Sequence, residues 1–209
     1  MGSPRRIESH LLDGAVGKLE ALLEEPESVP AREVCLVCHP HPLYGGTMRN
    51  KVVHRIARAL RRSGTVVLRF NFRGVGSSQG VHDAGRGELE DARMLMEWLR
   101  LRYPELPYSA AGFSFGSRIA LRLACSVAGT RRVIAVGFPT NSETEHLTDC
   151  GVSKIFVQST NDEHAPRPEL EALYKTFAEP KQIHWLEGGD HFFRDALDAL
   201  EETIYQLSV

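Results

Sequence analysis

The sequence has no long hydrophobic run. No window of its 209 residues reaches the roughly 18 consecutive apolar residues that a membrane-spanning helix needs. Its first residues, Met-Gly-Ser-Pro-Arg-Arg, have no apolar core of the kind that a secretion signal carries. These absences predict a protein that neither spans a membrane nor is exported, and we therefore expect a cytoplasmic location.

The sequence also has no excess of charge of one sign. Its 25 Lys and Arg nearly balance its 27 Asp and Glu, for a net charge of −2. Nucleic acid and anionic membranes are therefore not expected as partners. Arginines 55, 58, 61 and 62 form a basic cluster, but apolar residues separate them at helical spacing. We interpret the arginines as the solvated face of an amphipathic helix.

Cysteine is scarce, with four residues, at positions 35, 38, 125 and 150. Four cysteines do not make a disulfide framework for a chain of this length. Cys35 and Cys38 have the spacing of a redox motif but lie within the apolar run 34–38, which is typical of a strand. Residues three apart on a strand point to opposite faces, so the two thiols cannot pair. We expect buried, unreactive thiols in a reducing compartment.

The pattern along the chain predicts one α/β domain spanning residues 1–209. Strand-like runs alternate with helical patterns, and several are apolar throughout, as strands buried on both faces are. We predict a three-layer α/β/α sandwich with a mostly parallel, doubly wound sheet. An antiparallel hairpin, around 5–11 and 15–24 with a turn at Asp13-Gly14, precedes it. The later strands are expected near 33–38, 65–71, 108–112, 132–138, 154–159 and 181–186, and the helices near 48–62, 86–102, 115–128, 167–178 and 191–207.

A G-x-S-x-G pentapeptide, residues 112–116, stands between a strand-like run and a helical pattern. In that setting the serine occupies the tip of a tight turn between strand and helix. Neighbouring backbone passes so close to the positions two before and two after the serine that a Cβ there would collide, which explains the two glycines. Ser114 is therefore the candidate nucleophile.

A serine hydroxyl needs a base, and the base needs an acid to orient it. His191 follows the strand-like run that ends at 186 and is expected to open the final helix. Asp162 follows the run that ends near 159, and Glu163 and Asp190 are the competing carboxylates. The carboxyl ends of parallel strands share one edge of the sheet, so these groups are expected to meet there. The order Ser114, Asp162, His191 is that of α/β-hydrolases.

A tetrahedral intermediate also requires N–H donors for its oxyanion. The backbone N–H of Phe115, at the start of the next helix, is the first candidate. The second is expected in the segment 39–46, where Pro40 and Pro42 have no N–H. His41 and Leu43 remain, and His41 is preferred.

Other chemistries find little support in the sequence. His39 and His41 would point the same way on an extended segment, but no third ligand stands at a suitable spacing, so no metal is expected. The glycine-rich segment 73–80 lacks the G-x-G-x-x-G pattern, and no cofactor is expected. The remaining histidines are interpreted as surface or packing residues: His10, His54, His82, His146, His164 and His184.

These motifs make the sequence resemble the α/β-hydrolase superfamily. Segments 39–48, 70–78 and 111–116 are similar to those of small bacterial hydrolases allied to dienelactone hydrolase and carboxylesterases. The resemblance implies an α/β-hydrolase fold, a Ser114–Asp162–His191 triad and an oxyanion hole of the His41 and Phe115 N–H groups. Two differences stand out: dienelactone hydrolase has a cysteine nucleophile, and Ser117 replaces a glycine common in such enzymes.

The segment 139–151, where hydrolases of this fold often carry a cap, is too short for a domain. We therefore expect an open site with a minimal cap or none, whose candidate substrate walls are Leu43, Tyr44, Phe113, Phe138 and Phe192. The resulting hypothesis is a serine hydrolase for a small ester-type substrate, including lactones or thioesters. Two alternatives remain: a peptidase or acyltransferase with the same triad, and a non-catalytic binding protein. A homo-oligomer is compatible with either.

Overall fold

One sheet of eight strands organises the part of the chain that the computed structural model describes, residues 6–26 and 29–209. The strands are β1 (Ile7–Gly14), β2 (Gly17–Glu24), β3 (Glu33–Cys38), β4 (Thr65–Phe70), β5 (Tyr108–Phe113), β6 (Arg132–Val136), β7 (Ser153–Ser159) and β8 (Lys181–Leu186). Their order across the sheet is β1-β2-β4-β3-β5-β6-β7-β8. Strands β3 to β8 are mutually parallel, whereas β1 and β2 pair antiparallel and β2 adds antiparallel to β4.

Helices cover both faces of this sheet. They are α1 (Lys51–Arg62), α2 (Arg86–Arg102), α3 (Phe115–Ser126), α4 (Arg167–Thr176) and α5 (Leu197–Gln206). Apolar residues of α1 and α5 share one core cluster, and those of α2, α3 and α4 share the other. Along β3, Leu36 belongs to one cluster and Val37 to the other, as the two-residue period of a strand requires. The predicted three-layer α/β/α fold with an N-terminal hairpin is confirmed.

The hairpin turn lies at Ala15 and Val16, so the prediction of a turn at Asp13-Gly14 is wrong by two residues. Asp13 pairs across the ladder with Lys18, and their side chains form an ion pair of 2.7 Å. The Ala15 N–H donates to Asp91 Oδ1 of α2 at 2.8 Å. This contact with a distant helix helps hold the turn in place.

The arginines of α1 form the predicted solvated face only in part: Arg58 and Arg62 are exposed, whereas Arg55 is half-buried. Arg55, Arg58 and Arg62 surround the buried carboxylate of Glu201 on α5, at 2.7, 3.3 and 3.2 Å. Arg61 is itself buried and lies 3.2 Å from Glu24. Because these carboxylates come from remote parts of the chain, the local helical pattern did not reveal them.

Cys35 and Cys38 are buried free thiols on opposite faces of the sheet, as predicted. Burial raises the pKa of Cys35 to about 12, so its thiolate is not populated at neutral pH. Cys125 and Cys150 instead form a disulfide, with Cα atoms 5.5 Å apart. The sequence analysis did not predict this bond, which forms because the fold lays the segment after β6 against the end of α3. The cysteines therefore give no argument for a reducing compartment.

The connection from β6 to β7, residues 137–152, contains one short 3₁₀ turn (Glu145–Leu147) and no cap domain. This agrees with the prediction of a minimal cap and leaves the carboxyl edge of the sheet uncovered from that side. Among residues 6–26 and 29–209, no helix is both long enough and apolar enough to cross a membrane.

Candidate active site

Ser114 stands alone between the end of β5 and the start of α3, with φ 54° and ψ −120°. A non-glycine residue at positive φ is strained, and its surroundings must hold it there. The Ser114 N–H donates to the Val136 carbonyl at 2.9 Å. A Cβ on Gly116 would overlap the Cys38 carbonyl oxygen and come within 2.5 Å of that of His39. One on Gly112 would overlap the Gly116 carbonyl, so both glycines are sterically required.

The structure brings together the three side chains singled out from the sequence. His191 Nε2 lies 2.9 Å from Ser114 Oγ, and His191 Nδ1 lies 2.9 and 2.8 Å from the two Asp162 oxygens. The imidazole and the carboxylate are both buried, at 3% and 4% exposure, which shields their hydrogen bonds from water. An imidazole held between a hydroxyl and a carboxylate can take the hydroxyl proton.

Further hydrogen bonds fix the carboxylate and the imidazole. Asp162 Oδ1 also accepts from the His164 N–H at 2.8 Å. Glu163 Oε2 accepts from the His191 backbone N–H at 3.2 Å, so Glu163 supports the loop and does not contact the ring. The buried Ser159 hydroxyl, at the end of β7, donates to the Gly188 carbonyl at 2.7 Å. The loops that follow β7 and β8 are thereby tied to each other.

Asp190, the other competing carboxylate, faces away from the imidazole. Its Oδ1 accepts from the Phe192 and Arg194 N–H groups at 3.0 and 3.1 Å. The Arg194 N–H contributes most to holding the pKa of Asp190 below its usual value. The following residues turn, with positive φ at Phe193 and Asp195, so the final helix begins at Leu197. The prediction that His191 opens this helix is wrong for that reason.

The loop after β3 approaches Ser114 from the other side. His39 is fully buried, with Nδ1 2.6 Å from the Pro40 carbonyl and Nε2 accepting from the Phe72 N–H at 3.0 Å. Burial lowers the pKa of His39 to about 4. The neutral ring therefore donates through Nδ1 and joins the β3 loop to the segment after β4.

A ring cluster that the sequence did not reveal supports this loop. The His41 ring lies 4.9 Å from both the His82 and the Phe115 rings. His82 Nδ1 is 2.9 Å from Oε1 of the fully buried Glu88. Burial is the main cause that lowers the pKa of His41. His82 was interpreted as a surface or packing residue, since no local pattern links it to position 41.

A cavity of about 360 Å³ opens in front of Ser114. Two of the predicted walls, Tyr44 and Phe192, line it. Phe113 and Phe138 are buried in the core at 0% and 1% exposure, so their prediction as walls is wrong. Leu43 is exposed and does not line the cavity. The full lining comprises Pro40, His41, Tyr44, Gly45, Gly46, Asn50, Ser114, His164, His191 and Phe192.

Two residues of this lining were missed from the sequence. The His164 ring meets the His191 ring edge-on, with centroids 4.6 Å apart. The sequence signal that could have placed His164 at the site is its position two residues after Asp162. Asn50 lies at the cavity as the N-cap of α1. In the described part of the chain, no group of three or more His, Cys, Asp or Glu side chains is arranged to hold a metal ion.

A mostly parallel sheet carries a strained serine between a strand and a helix at its carboxyl edge. The serine is hydrogen-bonded to a histidine, which is bonded in turn to an aspartate, and this arrangement defines the class of α/β-hydrolases. Residues 36–203 match the family model described as an alpha/beta hydrolase domain. The chain belongs to this family and is a hydrolase.

Three relatives are similar over most of their length. An alpha-beta serine hydrolase homologue from Coxiella burnetii is 35% identical, with a TM-score of 0.92 and 96% of each chain covered. XC6422 from Xanthomonas campestris, described as an a/b serine hydrolase without lid, is 33% identical, with a TM-score of 0.90 and coverage of 99% of this chain and 94% of that one. Uncharacterized protein RP471 from Rickettsia prowazekii (strain Madrid E) is 34% identical over 92% of this chain and 84% of that protein.

We predict that Gly116→Ala lowers the free energy of unfolding by about 3 kcal/mol, the upper end of typical overpacking costs. The reason is the overlap with backbone carbonyls that cannot move independently. Gly151→Ala is the matched control, because its Cβ would meet no atom within 4 Å. Urea denaturation of the three proteins measures the effect. Equal stability of the two variants would contradict the steric argument.

A second prediction concerns acid stability. The folded pKa of His39 is about 4, and an unfolded histidine titrates near 6.5. The unfolded state therefore binds more protons between these values, and stability is lost as the pH falls through that window. At about 1.4 kcal/mol per pKa unit, the loss by pH 4 is about 3 kcal/mol. Denaturation at several pH values measures the free energy of unfolding. Between neutral pH and pH 4 it should fall by about 3 kcal/mol more in the wild type than in His39→Gln. Parallel pH profiles would refute it.

Proposed function

We propose that the protein is a serine hydrolase that cleaves a small ester-type substrate through an acyl-enzyme on Ser114. The observation that carries the proposal is the hydrogen-bonded chain from Ser114 Oγ to His191 Nε2, at 2.9 Å, and from His191 Nδ1 to Asp162. The proposed nucleophile contacts the proposed base, and the base contacts the carboxylate that would orient it.

In the proposed mechanism, Ser114 Oγ attacks the ester carbonyl while His191 Nε2 takes its proton. The resulting imidazolium is stabilised by Asp162 through Nδ1–H. Collapse of the tetrahedral intermediate releases the alcohol, which receives the proton from His191. Water then attacks the acyl-enzyme with His191 again as the base, and Ser114 regains its proton as the acid leaves.

The oxyanion is proposed to bind between the backbone N–H groups of Phe115 and His41. Phe115 is the first residue of α3, so its N–H has no acceptor within the helix and lies at the positive end of the helix dipole. The Leu43 N–H already donates to His41 Nδ1 at 3.2 Å. This bond favours His41 over Leu43 as the second donor.

The site's surroundings favour hydrolysis of a small substrate. Tyr44 and Phe192, on the cavity lining, are 86% and 44% exposed, so the mouth of the cavity is open to water. Water can therefore reach an acyl-enzyme, which favours hydrolysis over transfer to another acceptor. A cavity of about 360 Å³ is near the lower end of the usual range for small-molecule sites.

A fluorophosphonate probe should label the wild-type protein and fail to label Ser114→Ala. The probe requires an activated serine, so labelling should also be much weaker in His191→Ala. Gel fluorescence or intact mass measures the adduct, and thermal melting shows that each variant is folded. Absence of labelling in the folded wild type would favour a non-catalytic protein, and labelling that persists in Ser114→Ala would overturn the assignment of the nucleophile.

Asp162→Asn should lower kcat by about 10⁴, the loss seen when a triad aspartate becomes asparagine and the imidazole takes the wrong tautomer. Asp190→Asn is the matched control, because its carboxylate binds backbone N–H groups and not the ring. Steady-state kinetics on one p-nitrophenyl ester compare the two. A larger loss in Asp190→Asn would mean that Asp190 is the acid.

A further inference from the structure

Besides the exposed Tyr44, two polar side chains of the segment between β3 and α1 line the cavity, His41 and Asn50. Each has its acceptor atom occupied by a nearby backbone N–H. Asn50 Oδ1 accepts from Val52 at 2.9 Å, capping α1, and His41 Nδ1 accepts from Leu43 at 3.2 Å. The acceptor atom of each side chain therefore already has a partner within the protein.

In these two side chains, the polar atoms without a partner are donors. Asn50 keeps its Nδ2 amide group. The His41 ring is neutral because burial lowers its pKa, and since Nδ1 accepts, its single N–H is on Nε2. Neither donor has a hydrogen-bond partner among residues 6–26 and 29–209. No Asp, Glu, Lys or Arg side chain lines the cavity. A ligand that pairs with these donors carries an acceptor, and an uncharged ligand fits best because no charged side chain of the lining offsets the desolvation of a ligand charge.

We propose that Asn50 determines substrate specificity by donating a hydrogen bond from Nδ2 to a second oxygen of the substrate. The substrate class is then a neutral ester that carries a hydroxy, alkoxy or keto oxygen close to the scissile carbonyl. This inference rests on the proposed function, since it concerns the same cavity.

The helix-capping role of Asn50 does not account for its amide donor. An N-cap needs only a side-chain oxygen, and serine and aspartate cap about as well as asparagine. Asn50→Ser and Asn50→Asp therefore keep the cap and remove the amide donor. The serine hydroxyl accepts from the Val52 N–H, and because its side chain is one atom shorter, its remaining O–H donor does not stand where Asn50 Nδ2 stands. With these two variants, a change in substrate specificity can be measured without the loss of stability that removal of the N-cap would cause.

The test uses p-nitrophenyl methoxyacetate and p-nitrophenyl butanoate, which differ by one oxygen in place of a methylene group. The measured quantity is the ratio of their kcat/KM values. The intrinsic reactivities of the two esters cancel when the ratio of a variant is divided by that of the wild type. The loss of one hydrogen bond predicts a fall of roughly 3- to 10-fold in both variants. A second pair, 2-methoxyethyl and butyl acetate, tests the alcohol side in the same way.

Arg49→Gln, an exposed neighbour outside the cavity lining, is the control and should leave both ratios unchanged. A fall in the kcat/KM ratio of either ester pair supports the inference, and the pair that responds shows whether Asn50 contacts the acyl side or the alcohol side of the ester. Unchanged ratios for both pairs in both variants would overturn it. Fluorophosphonate labelling of Ser114 is scored separately, so a labelled wild type whose ratios are unchanged in both variants refutes the substrate class and leaves the hydrolase proposal standing.

Discussion

The contact of Gly116 with the end of β3 is the constraint on which the site depends. Helix α3 begins so close to the Cys38 and His39 carbonyls that only a hydrogen atom fits between them. This approach sets where α3 starts, and hence where the Phe115 N–H points. It also determines how far the β3 loop, with His41, lies from Ser114. A single steric contact thus positions both the nucleophile and the two proposed oxyanion donors.

Buried polar groups extend this constraint to the other loops. His39, neutral because it is buried, joins the β3 loop to the segment after β4 through the Phe72 N–H. Ser159 joins the loops after β7 and β8 at 2.7 Å. Because a buried donor or acceptor without a partner is costly, these bonds resist opening in the folded state. The imidazole of His191 is therefore held by its neighbours before any substrate arrives.

The sequence predicts those parts of the molecule that depend on residues close together in the chain, such as a turn or the end of a strand. Ser114 lies in a pentapeptide whose glycines have a steric reason, and Asp162 and His191 follow strands that end at a shared edge. The sequence fails chiefly for side chains whose partners are remote. The pattern of α1 predicts one solvated arginine face because the carboxylates that its arginines contact, Glu201 on α5 and Glu24 on β2, are remote in the sequence. Cys125 and Cys150 meet only after the β6–β7 connection packs against α3. Phe113 reads as a wall residue, yet its position on β5 points it into the core.

The segment between β3 and α1 combines two tasks that would otherwise compete. An oxyanion donor must have a free backbone N–H, whereas a tight loop consumes N–H groups to stabilise itself. Here the side chains of His41 and Asn50 accept the N–H groups of Leu43 and Val52, which stabilises the loop and the start of α1. The His41 N–H is not needed for that purpose. The same two bonds occupy the acceptor atoms of these side chains and leave their donors without a partner at the cavity. The polarity of the cavity wall is thus a consequence of how the loop satisfies its own backbone.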